Sequence, residues 1–130
     1  MKLEHIALNV KDPIAVAHWY TEHLGLAVVQ QKMEAPYTTF MADDSGQMLI
    51  EIYNNPPDGV PDYNAMDPLL LHIAFVSESP HTDKARLITA GATLENELHL
   101  QDGTHLVMLR DPWGLAIQLC KRAIPLIRIQ

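Results

Sequence analysis

The sequence predicts an α+β protein built from two tandem copies of one β-α-β-β-β module, and three observations carry that reading. First, the chain resembles itself at a spacing of 67 residues. Leu3-Glu4-His5-Ile6-Ala7-Leu8 falls on Leu70-Leu71-His72-Ile73-Ala74-Phe75, Asp12-Pro13 on Ser79-Pro80, and Leu49-Ile50-Glu51-Ile52 on Ala116-Ile117-Gln118-Leu119. Matches in three places at one spacing mark an internal duplication. Second, each copy carries a helix-start pair of capping residue and proline, followed by a glycine at helix length. Third, each such segment is followed by three short stretches of strand character separated by turn residues.

In the first copy, Lys2 to Val10 alternates as a strand, with Ile6, Leu8 and Val10 on one face and Leu3, His5 and Ala7 on the other. Asp12 is a suitable N-cap, and Pro13 follows at the first helical position, where a missing N–H costs nothing. Gly25 can take the left-handed conformation that ends the helix after Leu24. Strands then follow at Leu26 to Met33, Tyr37 to Met41 and Gln47 to Tyr53. In the second copy Ser79 caps, Pro80 opens and Gly91 closes the helix. Its later strands are Thr93 to Leu98, His105 to Arg110 and Leu115 to Cys120, with Asp102-Gly103 in a hairpin connection. The two copies share an aspartate-to-glycine turn, Asp43 to Gly46 and Asp111 to Gly114, displaced by one residue. Module one therefore covers residues 1–54, a proline-rich linker 55–68, module two 69–120 and a tail 121–130. The tail segment AIPLIRIQ is apolar enough to pack on the body or on a partner.

Composition narrows the function classes. The chain has 130 residues, enough for a single domain with a sizeable core, and 48% of them are hydrophobic. A net charge of -7 removes the basic footprint that nucleic-acid binding needs. The single cysteine, Cys120, excludes an internal disulfide and suits a reducing compartment. The opening MKLEHIALNV carries a charge within its apolar run and is too short for a signal peptide or a membrane span. A cytoplasmic protein that binds neither membrane nor nucleic acid is expected.

A strand-helix-strand-strand-strand unit places its helix on one sheet face. Ile6, Leu8, Ile73 and Phe75 are the natural helix-facing residues, so His5 and His72 belong to the helix-free face. Alternation puts Glu51 and Gln118 on that face as well. Equivalent positions of a duplicated module meet near a pseudo-twofold axis, which would gather His5, Glu51, His72 and Gln118 around one point. Two imidazoles with oxygen donors suit zinc, iron, nickel, cobalt or manganese better than calcium or magnesium. Four or fewer protein ligands leave coordination positions for a chelating substrate.

At these residues the chain resembles a known family. The stretches LEHIALNV, LIEIYNNP, LLHIAFV and RDPWGLAIQL resemble the vicinal oxygen chelate superfamily, which includes glyoxalase I, bleomycin-resistance proteins and extradiol dioxygenases, and the resemblance covers essentially the whole chain. It implies one glyoxalase-like domain over residues 1–130, folded as an incomplete barrel with its helices outside. It implies metal ligands on the first, fourth, fifth and eighth strands, which here are His5, Glu51, His72 and Gln118. It also implies a homodimer acting on a small molecule.

One departure matters. Many catalytic members resembling this chain carry glutamate where Gln118 stands, and an amide cannot accept a proton at neutral pH. Glu51 is then the only proton acceptor of the four and the expected catalytic base. The function implied is a metal-dependent, glyoxalase-like lyase or isomerase whose substrate chelates a divalent Zn, Ni, Fe, Mn or Co ion through vicinal oxygens. The alternatives are a non-catalytic drug- or small-molecule-binding protein of the bleomycin-resistance type and, behind it, an extradiol dioxygenase. Other histidines have simpler roles: His18, His23 and His81 lie on helices, while His99 and His105 flank the turn at 101–104. His105 shares a strand face with Val107 and Leu109 and is a candidate pocket residue. Trp19, Tyr20 and Trp113 read as packing residues, and Tyr37 and Tyr53 as candidates for a pocket wall.

Overall fold

The computed structural model describes residues 1–127 and contains two compact units, Met1–Pro61 and Asp62–Gln130. Each has the order β-α-β-β-β. The first unit runs β1 (His5–Asn9), α1 (Pro13–Leu24), β2 (Ala27–Gln31), β3 (Thr39–Ala42) and β4 (Leu49–Tyr53). The second runs β5 (Ile73–Val76), α2 (Pro80–Thr89), β6 (Thr93–His99), β7 (His105–Arg110) and β8 (Ala116–Lys121). Each sheet is open and four-stranded, ordered β1-β4-β3-β2 and β5-β8-β7-β6. The expected α+β class of two repeated modules is borne out.

The duplication extends to the pairing itself. In each unit the outer strand of the module runs parallel to the last strand, and the registers correspond: Ile6 faces Ile50 and Ala7 faces Glu51, while Ile73 faces Ile117 and Ala74 faces Gln118. The second strand of each module is bulged against the third, at Val28/Gln30 and at Leu94/Asn96. The shared turns match atom by atom. Asp43 Oδ1 accepts from the Ser45 N–H at 3.1 Å and Asp111 Oδ1 from the Trp113 N–H at 2.8 Å, and each aspartate carbonyl accepts from the glycine N–H at 3.0 Å.

Both helices start and stop as their sequences require. Asp12 Oδ1 accepts from the Ala15 N–H at 3.1 Å, and Gly25 closes α1 with φ 72°. Ser79 stands at the N-cap of α2, but its hydroxyl bonds Thr82 Oγ1 at 3.0 Å rather than a backbone N–H. Gly91 follows the helix end with φ 109°. Helix α1 packs on β3 and β2, burying Val16, Ala17 and Tyr20 against Leu8, Met41 and Ile52. Helix α2 packs on β7, β8 and β6, where Leu87, Val107, Leu109, Ile117 and Leu119 are buried. These cores put Leu8 on the helix side of its sheet, as the alternation predicted, and Ile73 and Phe75 pair in register with buried Ile117 and Leu119.

Several boundaries differ from expectation. The first strand forms only over His5–Asn9, although the Glu4 carbonyl still accepts from the Leu49 N–H at 2.9 Å. The third strand starts at Thr39, because Tyr37 adopts φ 61° in a turn closed by its N–H on the Glu34 carbonyl at 2.7 Å. A left-handed residue cannot continue a strand. The linker 55–68 holds two single 3-10 turns, Pro57–Gly59 and Tyr63–Ala65. In the tail, Ile124, Leu126 and Ile127 are exposed rather than packed on the body, and residues 128–130 lie outside the described part.

Candidate functional site

Each unit carries two of the four expected ligand residues, and in each unit the two share the helix-free sheet face. In the first, β1 pairs with β4 so that His5 faces Leu49 and Ala7 faces Glu51, which makes His5 and Glu51 diagonal neighbours. Phe40 on β3 stands opposite Glu51, and its ring meets the His5 ring edge-on at 5.7 Å and 89°. The His5 side chain is 37% exposed, and its Nδ1 lies 2.8 Å from Glu4 Oε1. Beside Phe40 the same unit opens a pocket of about 350 Å³, lined by Gln30, Lys32, Pro36 and Thr38 among others.

The second unit repeats the arrangement with different chemistry. His72 immediately precedes β5, and its Nδ1 lies 2.8 Å from the Pro68 carbonyl oxygen. Gln118 faces Ala74 on one side and Met108 on the other, and His72 precedes the pair of Ile73 with Ile117 at the start of the same ladder. The Gln118 Oε1 accepts from the Cys120 thiol at 3.1 Å. Burial raises the pKa of that thiol, with the Arg122 charge opposing the shift, so Cys120 is a neutral packing group at ordinary pH.

The two histidines share a tautomer that their partners dictate. A carboxylate or a backbone carbonyl can only accept a hydrogen bond, so in both rings Nδ1 carries the hydrogen. The neutral ring then has its lone pair on Nε2. That is how a metal-ligating histidine is usually oriented by its surroundings.

A third grouping was not anticipated as a unit. Glu97 and His99 on β6 and His105 on β7 bring one donor atom each within 4.8 Å of one another. His105 Nε2 donates to Glu97 Oε2 at 2.6 Å, His99 Nε2 lies 3.5 Å from the same oxygen, and the two rings stack at 4.1 Å. Lys84 of α2 bonds the other carboxylate oxygen at 2.8 Å. The Lys84 and His105 hydrogen bonds lower the Glu97 pKa from 4.5 to about 2, against the opposing effect of burial. This cluster lies on the helix-bearing face, because Glu97 pairs with Val107 and His99 with His105, all of the parity opposite to Gln118. Sequence reading placed His99 and His105 beside the turn but overlooked Glu97. The available signal was the i, i+2 spacing of Glu97 and His99 on one face of a strand, opposite a histidine across the hairpin.

The linker is tied to the second unit by Arg110. Its guanidinium donates to the carbonyls of Tyr63 at 2.7 Å, Met66 at 2.9 Å and Gly114 at 3.0 Å, and it pairs with Glu95. Of the aromatic residues expected to pack, Trp19 and Tyr20 are buried and Trp113 is half-buried, while Tyr37, a candidate for a pocket wall, is exposed.

The chain belongs to the Glyoxalase/Bleomycin resistance protein/Dioxygenase superfamily, whose model matches residues 2–119. Solved structures share the fold. A glyoxalase family protein from Bacillus cereus matches with a TM-score of 0.78 and 18% identity, over 92% of this chain and 93% of that one. The lactoylglutathione lyase from Agrobacterium tumefaciens matches with 0.68 and 18%, over 93% of each chain. TnmS3, an antibiotic binding protein from Streptomyces sp. CB03234, matches with 0.71 and 16%, over 92% and 94%. No curated protein matches the sequence significantly. Among the described residues, no helix is long and apolar enough to cross a membrane.

Proposed function

We propose that this chain is a metal-dependent, glyoxalase-like lyase or isomerase whose small substrate presents two neighbouring oxygens to the metal. The observation that carries the reading is the common orientation of His5 and His72. Each Nδ1 hydrogen is bound to an acceptor of its own unit, at 2.8 Å in both cases, which leaves each Nε2 lone pair for a ligand.

The donor chemistry fits a divalent Zn, Ni, Fe, Mn or Co ion. His5 and His72 would supply imidazole nitrogens, Glu51 a carboxylate oxygen and Gln118 an amide oxygen, a mixed set that suits these ions better than calcium or magnesium. When bound, such an ion polarises a carbonyl and stabilises the negative charge that builds on its oxygen as the neighbouring carbon loses a proton. The residues of the chain do the rest. Glu51 is the one carboxylate of the four and would take the proton from that carbon, which requires it to leave the ion transiently. Gln118 cannot act as a base, and its oxygen already accepts the Cys120 thiol, so its part is to hold and orient. Phe40 meets the His5 ring edge-on.

A second reading, sequestration of a small molecule without chemistry, is favoured by the same Gln118, since the amide replaces a potential base. In either reading the protein is a cytoplasmic homodimer. Support for pairing comes from Val76, on edge strand β5 and 86% exposed, which a second copy would cover. Light scattering on the eluting protein tests that pairing.

The decisive experiment is elemental analysis of protein purified without a polyhistidine tag, beside a His5→Ala variant. Loss of about one ion per chain in the variant supports the enzyme reading and directs screening to carbonyl isomerisation. Failure of the wild type to retain any of the five ions through His5 favours sequestration.

A further inference from the structure

We propose that Glu97, His99 and His105 form a second site for a divalent transition-metal ion, separate from the set of His5, Glu51, His72 and Gln118. The inference does not depend on the function proposed above.

The backbone builds the site. Glu97 and His99 are two residues apart on β6 and so project from one face, and His105 stands directly opposite His99 on β7. A directly opposed pair and an i, i+2 pair are the nearest neighbours a sheet can offer. Here they hold two imidazole nitrogens and one carboxylate oxygen within 4.8 Å of one another. Ligand atoms about 2.0–2.1 Å from a tetrahedral ion lie roughly 3.3 Å apart. The 3.5 Å between His99 Nε2 and Glu97 Oε2 already suits that spacing. The 2.6 Å between His105 Nε2 and the same oxygen must open by about 0.7 Å, as the ion takes the place of the hydrogen between them. The His105 ring then carries its single hydrogen on Nδ1.

Chemistry selects the ion. Two imidazoles and one carboxylate favour zinc, nickel or copper over calcium or magnesium. Lys84 fixes the carboxylate by bonding Oε1, which leaves Oε2 directed at the histidines. The Lys84 charge also opposes a cation, so the site should bind more weakly than the same three ligands without it. His99 is 71% exposed, which leaves the remaining coordination positions open to water or a small anion. An ion held here would join β6 to β7 at the last pair before the turn at 100–104.

The test is zinc titration against a chromogenic chelator, using tag-free protein stripped with EDTA. A His5→Ala/His72→Ala variant removes the first set, and His99→Ala removes an exposed ligand of the second without disturbing the core. The double variant should keep one equivalent of zinc, and adding His99→Ala should weaken that equivalent at least 10-fold. Zinc should also shift the ring resonances of His99 and His105 in the wild type, a readout that needs no variant to fold. If the double variant binds no zinc, if His99→Ala leaves binding unchanged, or if those resonances do not move, the cluster is an ordinary hydrogen-bonded group and the proposal fails. A wild type whose only equivalent is abolished by His99→Ala would uphold this site while removing the metal-enzyme reading.

Discussion

Gln118 holds in the second module the place that Glu51 holds in the first: Ala7 faces Glu51 across parallel strands, and Ala74 faces Gln118 in the same register. The two side chains have nearly the same shape and differ by one charge. That single difference separates a site with two carboxylates from one with a carboxylate and an amide. Gln118→Glu keeps the oxygen that accepts the Cys120 thiol, so the fold should tolerate it. If Gln118 helps hold a divalent ion, the added charge should tighten binding by about 10-fold or more, equivalent to roughly 1.4 kcal/mol. Competition titration with nickel or zinc reads the change. An unaltered affinity would remove Gln118 from the ligand set.

Glu4 offers a test of orientation apart from ligation. Its side chain is 76% exposed and touches His5 Nδ1 at 2.8 Å, so it has a partner but no core to support. Glu4→Ala should leave the melting temperature nearly unchanged, since exposed substitutions cost within about 0.5 kcal/mol. Metal affinity through His5 should fall about 10-fold, the usual effect of losing such an orienting contact. Glu4→Gln keeps an acceptor oxygen and should restore most of it. His72 cannot be tested in this way, because its acceptor is the Pro68 backbone carbonyl.

These relationships were legible in the sequence to different degrees. The repeat spacing fixed which residues correspond, and two-residue periodicity fixed which face each strand residue takes. Together they place His5 with Glu51 and His72 with Gln118, as observed within each unit. Tyr37 is an aromatic residue of the kind that favours strands, and nothing local announces its left-handed backbone. Glu97 was missed for another reason. TLENELH reads as a polar, solvent-facing strand, and only packing of α2 on the sheet brings Lys84 to the carboxylate. The tautomers of His5 and His72 depend on hydrogen-bond partners and have no signature in one-dimensional spacing.

Arg110 should be the most sensitive surface-proximal residue of the second unit. It is buried, and its guanidinium satisfies three backbone carbonyls from the linker and the turn at Asp111 to Gly114 while pairing with Glu95. Arg110→Met would strand those acceptors, and the expected loss is about 2–4 kcal/mol by urea unfolding. Arg110→Lys should recover little, because one ammonium cannot span carbonyls that the planar fork reaches together. Gly114→Ala tests the same junction from the other side. Its φ of 94° disfavours any side chain, and an added Cβ would also collide with the Asn64 side chain. Gly114→Ala should therefore destabilise by about 1–3 kcal/mol. Asn64→Ala in the same chain should recover only the steric part.

Glu97 gives the protein an acid-side dependence whose direction can be stated. Its carboxyl is held near 2, chiefly by the Lys84 hydrogen bond and then by that from His105, against 4.5 for the free group. A carboxyl whose pKa is lower folded than unfolded stabilises the fold fully above the unfolded value. That contribution is lost as pH falls from about 4.5 toward 2. In EDTA-treated protein, Glu97→Gln should melt lower than wild type at pH 6, by an amount worth about 1 kcal/mol for a partly exposed charged pair. The gap should stay constant down to about pH 5 and narrow below 4.5, as the wild-type carboxyl takes up its proton on unfolding. A gap that persists unchanged at pH 3 would mean that Glu97 contributes by shape and not by charge.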